Sequence, residues 1–274
     1  MNAVFEIINE DINTANCVLL CEVSNDGLSY LVKDTETNIV LAFAVYHYNT
    51  NIHGNLNSIF QKIFEDHLLF SEKFKKVFII YSLPESVLIP FPLYDANNNA
   101  DILKIIHGDL AENHAIRTDM LIANKVYNSY RVPLDLITEI GSKFPAGEVY
   151  HQYSVLMKNL SSTGDKFSVI FYPQKIVLTL EVKGKLLLIN SYHYKSPEDV
   201  SYILLNICRQ FELKNIPVEL SGLIEKDSGL YKEIYKYFEQ VSFAQPPEGI
   251  NFSEKLDAYP SHYFSHFFGV EICE

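Results

Sequence analysis

Two stretches of this chain repeat one order of β-prone and helical segments, and that duplication restricts the fold more than any single motif. Between Lys166 and Val241, three runs rich in Val, Ile, Leu, Phe and Tyr (Lys166–Tyr172, Ile176–Val182 and Leu186–Tyr194) are broken only by Pro173-Gln174-Lys175 and Lys183-Gly184-Lys185. Breaks this short between β-prone runs predict a three-stranded antiparallel meander. A helix start follows, with Ser196 as N-cap, Pro197 at the first helical position, and Glu198 and Asp199 where the helix dipole favours negative charge. Val200, Ile203, Leu204, Ile207, Cys208 and Phe211 recur at helical spacing and make one apolar face. A short strand, Ile216–Ser221, ends at Gly222. A second helix over about Asp227–Gln240 turns Leu230, Ile234, Tyr237 and Phe238 inward, and Val241–Phe243 reads as a further strand.

The start of the chain echoes this order. Cys17–Glu22, Leu28–Lys33 and Ile39–Tyr46 are β-prone runs broken at Asn25-Asp26-Gly27 and Thr35–Asn38. A helix follows with the apolar face Ile52, Leu56, Ile59, Phe60, Ile63, Phe64 and His67/Leu68, and then the strand Val77–Tyr81. The halves correspond at an offset of about 140 to 150 residues, which predicts an α/β fold of two duplicated lobes. Each lobe is a mixed sheet built on a three-strand meander with flanking helices. A chain of 274 residues is long enough for both cores.

The expected division is 1–160 for the first lobe and 166–274 for the second, with Ser161–Asp165 as the linker. Residues 1–16 read as a polar-to-mixed lead-in. An insertion over Pro84–Arg131 departs from the template, with an extended proline-punctuated stretch, a helical turn at Ile102–Ile106, and a hairpin of His114–Ile122 and Lys125–Arg131. Pro133 starts a helix with Leu134, Ile137, Ile140 and Phe144 inward. Val149–Tyr153 is then a strand and Ser154–Leu160 a short helix. After Gln245, prolines prevent long regular structure, yet Tyr259, Tyr263, Phe264, Phe267 and Phe268 are too apolar for a loose tail. That segment is expected to pack on a lobe.

Charge and motifs narrow the chemistry. A net charge of −12 argues against a nucleic-acid-binding face, and the densest basic group, Lys73, Lys75 and Lys76, reads as a solvated helix end. No run of eighteen apolar residues predicts a membrane span, and no basic segment precedes an apolar core at Met1–Glu10. Cys17, Cys21, Cys208 and Cys273 form no CxxC pattern, so buried free thiols in a reducing cytoplasm are expected. The phosphate-loop, nucleophile-elbow and HExxH patterns are missing. His262 and His266 have the i, i+4 spacing of metal ligands, but Pro260 and Gly269 are close and no third ligand stands beside them, so no metal is expected.

The stretches VSNDGLSYLVKDTETN at Val23–Asn38, KGKLLLINSYHYKSPED at Lys183–Asp199 and VELSG at Val218–Gly222 carry a resemblance. Through them the chain, over about Asn16–Phe243, resembles a family of uncharacterised bacterial proteins known mainly from the Bacteroidetes and classed as a domain of unknown function. The resemblance implies the actin-like ATPase fold, the duplicated relative of ribonuclease H. In such ATPases, Gly-containing turns between the first two strands of each lobe hold the phosphates through free backbone N–H groups. Ser24-Asn25-Asp26-Gly27 occupies that position in the first lobe. Asn/Asp-Gly is also the usual choice for an ordinary hairpin turn, where positive φ is needed. In the second lobe the turn is Tyr172–Lys175, without Gly or Asp, and Pro173 removes an amide donor.

The resemblance also places a paired-glycine nucleotide turn at Leu220–Leu223, where this chain has one glycine. It is either the remnant of an adenosine site or a glycine easing the turn from strand to loop. Asp26, Gly27, Ser221 and Gly222 are thus the candidate nucleotide-contacting residues, with ATP and Mg as the cofactors they would serve. No catalytic residue is assigned. Three functions follow as expectations: a non-catalytic binding or scaffold protein with a protein partner and a degenerate nucleotide site, an ATP-binding and slow or regulated ATPase, or a cytoplasmic assembly factor for a membrane machine.

Overall fold

A computed structural model describes residues 3–49, 55–160 and 164–273, the side chains of 68 and 270–273 excepted. The expected roles of Ile52, the side chains of Leu68 and Cys273, and the linker residues 161–163 lie outside the described residues. Contacts divide the chain into one unit of Met1–Lys158, Gly249–Ala258 and Val270–Glu274, and a second of Asn159–Glu248 and Tyr259–Gly269.

In the first unit the strands are β1 (Phe5–Ile8), β2 (Cys17–Val23), β3 (Gly27–Asp34) and β4 (Ile39–His47), followed by helix α1 (Leu56–Asp66) and β5 (Lys76–Tyr81). Next come β6 (Ser86–Pro90), α2 (Asn99–His107), β7 (His114–Leu121), β8 (Val126–Pro133), α3 (Leu134–Lys143), β9 (Glu148–His151) and α4 (Gln152–Lys158). The main sheet runs β1-β4-β3-β2-β5-β9. β2 and β5 are parallel, as are β5 and β9, while the meander is antiparallel. All seven residues of the central β2 are buried, as expected of a strand inside a sheet covered on both faces, and Glu22 is the one charged residue among them. Asn55 caps α1 by accepting the Ser58 N–H at 2.9 Å, and Ile59, Phe60, Ile63 and Phe64 are buried in the core with Leu19, Cys21 and Tyr30.

Three readings of this half change. The lead-in contains β1, whose Phe5–Ile8 pairs with Ala42–Val45 of β4, so its worth lies in covering an edge rather than in its own pattern. The insertion is a separate three-stranded sheet, β6-β8-β7, with its own helix α2 where a single turn was expected. Buried Arg131 holds its parts together: Nη1 pairs with Glu85 at 3.0 Å and donates to the Asp109 carbonyl at 3.3 Å, and Nη2 donates to the Gly108 carbonyl at 2.5 Å. In α3 the expected Ile140 is buried, joined by Leu136, which is fully buried, whereas Leu134 lies at the first turn and is exposed.

The second unit contains β10 (Lys166–Phe171), β11 (Lys175–Val182), β12 (Lys185–His193), α5 (Pro197–Gln210), β13 (Val218–Gly222), α6 (Gly229–Tyr235) and β14 (Val241–Phe243). Its order, β12-β11-β10-β13-β14, matches β4-β3-β2-β5-β9 strand for strand, parallel pairs included. The irregularity at Val32/Lys33 in β3 even recurs at Leu180/Glu181 in β11. Ser196 and Asp199 form a capping box at α5, which buries Val200, Leu204 and Ile207. α6 is shorter than expected. Ser228 caps it, and after Tyr235 the chain tightens as the Lys236 and Tyr237 N–H groups reach back only three residues, to Glu233 and Ile234. Phe238 therefore stays buried while Tyr237 is exposed.

The tail is shared between the units. β15 (Asn251–Phe252) pairs in parallel with Ile39 and Val40 of β4, and α7 (Glu254–Asp257) follows it in the first unit. Tyr263, Phe264, Phe267 and Phe268 are buried and belong to the second.

Candidate functional site

In open α/β sheets, ligands are taken at the carboxyl ends of parallel strands. In the first unit these are the ends of β2, β5 and β9, and each carries a buried polar residue. Glu22 is the penultimate residue of β2, Ser82 follows β5, and Gln152 opens α4 after β9. The Ser82 hydroxyl donates to Gln152 Oε1 at 2.7 Å, and Gln152 Nε2 donates to Glu22 Oε2 at 3.2 Å. Beside them, His151 Nε2 donates to the Leu83 carbonyl at 2.9 Å, and its Nδ1 accepts the Tyr153 N–H at 3.0 Å, which fixes the tautomer.

Asp119, from the insertion, accepts the His151 N–H at 2.7 Å and the Tyr130 hydroxyl at 3.0 Å. Burial raises the Asp119 carboxyl above its ordinary range, and the bonds from Ser154, His151 and Tyr130 oppose the rise. Asn128 Nδ2 donates to Ser154 at 2.9 Å. These polar groups bond one another and fasten the insertion to the ends of the main strands. Sequence reasoning missed them, because partners such as Gln152 and Glu22 are 130 residues apart.

The two first-hairpin turns are closed by one device. In the first unit the Ser24 N–H donates to the Gly27 carbonyl at 2.8 Å and the Tyr48 N–H to the Asp26 carbonyl at 2.9 Å. The Tyr48 hydroxyl donates to the carbonyls of Ser24 and Gly27 at 2.7 and 3.1 Å. In the second unit the Tyr172 N–H donates to the Lys175 carbonyl at 2.8 Å and the Tyr194 N–H to Gln174 at 3.1 Å, and the Tyr194 hydroxyl donates to the Tyr172 carbonyl at 2.9 Å. Each tyrosine follows the third strand of its meander. A repeated Tyr-His-Tyr, at Tyr46–Tyr48 and Tyr192–Tyr194, is the sequence signal that marks them.

Burial, then the Asp26 carboxylate, pushes the Tyr48 phenol well above its ordinary range, and burial raises Tyr194, so both stay protonated donors. Tyr48→Phe and Tyr194→Phe are each expected to cost about 1–2 kcal/mol, because each leaves a turn carbonyl without its donor. The losses should add, since the pair has no common partner. Urea unfolding checks this, with exposed Tyr235→Phe as the silent control.

The candidate nucleotide residues fall into this frame. The Asp26 carboxylate accepts the Ser24 hydroxyl of its own turn at 2.7 Å. Gly27 does not take positive φ, so the hairpin reason for glycine is corrected: a Cβ there would stand 3.1 Å from the Tyr46 carbonyl oxygen, and close approach is what restricts the position. Ser221 and Gly222 end β13 in the second unit, opposite Ile170 and Phe171 of β10. Gly222 has φ +76°. Of the paired histidines, His262 donates from Nε2 to the Ile224 carbonyl at 2.7 Å and stacks on Phe243, and His266 is buried against Tyr172 and Phe267. Among the described residues, no group of three or more His, Cys, Asp or Glu is arranged to hold a metal ion.

Over residues 8–241 the sequence matches the family described as Protein of unknown function (DUF3822). The chain belongs to that family. None of the curated proteins matches it. Among solved structures, this family member is similar to a Bacteroides thetaiotaomicron protein with actin-like ATPase fold and unknown function, at 21% identity and TM-score 0.71, over 86% of this chain and 94% of that one. It is also similar to the PilM-PilN type IV pilus biogenesis complex, at 10% identity and TM-score 0.59, over 94% of this chain and 98% of that one. The cytoplasmic domain of EpsL, an inner membrane component of the Vibrio cholerae type II secretion system, matches at 9% identity and TM-score 0.50, over 94% and 95%. The fold is therefore the duplicated actin-like ATPase fold. Among the described residues, no helix is long and apolar enough to cross a membrane, which leaves β-barrels unaddressed.

Proposed function

We propose that this member of the family is a non-catalytic binding protein of the cytoplasm, which uses the actin-like fold as a scaffold for a protein partner. The observation that carries the reading is the bonding at the strand ends. Glu22, Ser82 and Gln152 hold one another where an open sheet would take its ligand. The two tyrosine-closed turns support it: the Ser24 and Gly27 carbonyls face the buried Tyr48 phenol and the Tyr172 carbonyl faces the half-buried Tyr194 phenol, whereas phosphate binding needs N–H groups presented to an anion. Asp26, Gly27, Ser221 and Gly222 are then structural residues of the former nucleotide positions.

Support for a protein partner comes from two directions. PilM and EpsL, which share the fold, come from a pilus biogenesis complex and a secretion system, so a membrane-associated assembly is the class of machine to test first. The insertion also exposes Leu93, Ile105, Ile106, Met120 and Ile122 to solvent.

A thermal-shift panel of ATP, ADP and GTP with magnesium is the test, and no movement of the melting temperature is expected. A nucleotide at a hundredfold excess over its dissociation constant would add about 2.7 kcal/mol, several degrees for a chain of this size. A shift of that kind, with metal-dependent hydrolysis, would replace this reading with that of a slow ATPase.

A further inference from the structure

At the opposite, amino-terminal ends of β5 and β9 the first unit has a second recess, remote from the strand ends described above. It is a cleft of about 580 Å³, between the segment entering β5 and the Phe144–Gly147 turn after α3. That volume lies in the range of ligand-binding clefts, roughly 300–1,000 Å³. Gly147 keeps the turn tight: its N–H donates to the Phe144 carbonyl at 3.0 Å, and a Cβ would come within 3.3 Å of Ile79. Phe70, Phe74, Val77, Phe144 and Pro145 make the lining apolar.

The rim is basic, in a chain of net charge −12. Lys73, Lys75, Lys76 and Lys143 stand against one acidic residue, Glu72, so the cleft runs counter to the charge of the molecule. Lys76 is occupied by Glu148 at 3.0 Å, and Lys75 donates to the Thr35 hydroxyl at 2.9 Å. Lys143 lies 5.5 Å from the Phe64 ring centroid. Among the described residues, neither Lys73 nor Lys143 forms an ion pair. Three of these lysines are the group that the sequence alone assigned to a solvated helix end. The structure places them instead on the loop into β5 and at its first residue, over an apolar floor.

We infer that this cleft binds an acidic peptide segment of a partner protein, with a large apolar side chain in the recess and flanking carboxylates on Lys73 and Lys143. A peptide with a large apolar side chain between carboxylates satisfies both the floor of Phe74, Val77 and Pro145 and the lysine rim, whereas a bare anion would leave the apolar floor uncovered. The inference does not depend on the nucleotide reading. Either can fail alone, since the nucleotide panel leaves this cleft untouched.

The test is selection of random phage-displayed peptides on the full chain, followed by fluorescence polarisation with the synthetic form of the most enriched one. Expected sequences place Asp and Glu around a single Leu, Phe or Trp. Lys73→Glu with Lys143→Glu should weaken binding at least tenfold while leaving the melting curve unchanged, and added salt should weaken binding to the unaltered protein. The inference is overturned by an absence of enrichment, by neutral or basic consensus peptides, or by equal affinity for the double variant. Sedimentation with phosphatidylglycerol vesicles, lost in the double variant without any peptide binding, would overturn it in favour of a lipid surface.

Discussion

Replacing Gly222 by alanine is expected to remove most of the stability of the second unit, about 4 kcal/mol or more. Two costs coincide. The residue sits at φ +76°, where a side chain is strained. A Cβ would also lie 2.3 Å from the Phe171 carbonyl oxygen and 2.8 Å from its nitrogen, which is backbone that cannot rotate away. Phe171 is the last β10 partner in the parallel pairing of β10 and β13, and its carbonyl also accepts the Leu223 N–H at 2.9 Å, so any relief would pull the two strands apart. Val169, Phe171 and Leu220 on those strands lie in the buried core of the unit. Gly229→Ala is the matched control, because a Cβ there meets nothing within 4 Å and the backbone is ordinary. Urea midpoints of the two variants should differ widely; a Gly222→Ala midpoint within error of the unaltered protein would show that this geometry is wrong.

Acid is expected to destabilise the protein through His266. Both of its ring nitrogens are buried without a hydrogen-bond partner, and burial pushes its pKa down to about 3. The unfolded chain takes up this proton near pH 6.5, while the folded chain resists it until about pH 3. Between those values the unfolded state binds more protons, so stability rises with pH, by about 1.4 kcal/mol per unit for this one group. The contribution is complete above pH 6.5 and drains as the pH falls towards 3. His262, lowered by burial against its bond to Ile224, acts in the same direction. Urea midpoints measured at pH 7, 5.5 and 4.5 should therefore fall steeply for the unaltered protein and less for His266→Phe, whose ring fills the same space without a site to protonate. Parallel curves would show that His266 does not carry the loss of stability between pH 7 and 4.5, a range that lies above the titration of the lowered Asp34 and Asp199 carboxylates.

The parts of this fold that were legible in the sequence are those fixed by short-range physics. The Val, Ile and Phe runs of both meanders, the Ser196–Asp199 cap and the Phe60–Phe64 face each depend on neighbours within a few residues, and their order carried the duplication. What was lost involved long-range pairing. Phe5–Ile8 has no strand pattern of its own and becomes one only against β4. Asn251 and Phe252 pair with Ile39 and Val40 more than two hundred positions away. Tyr237 was placed inward by helical spacing, but the helix ends at Tyr235 and the spacing ceases to apply.

The candidate site divides in the same way. Asp26, Gly27, Ser221 and Gly222 were singled out through the resemblance, and the structure places Asp26 and Gly27 at the first hairpin of the first unit and Ser221 and Gly222 at the end of β13. The bonds that close the first-hairpin turns of the two units come from Tyr48 and Tyr194, and the repeated Tyr-His-Tyr shows its meaning only when the two hydroxyls reach corresponding carbonyls, those of Ser24 and Tyr172. The sequence by itself determined a duplicated α/β chain, because periodicity and capping are local and survive without knowledge of neighbours. Only the tertiary structure decided that Glu22, Ser82 and Gln152 bond to one another and that four lysines ring an apolar cleft, because each is a meeting of distant segments whose energy exists only once the sheet has brought them together.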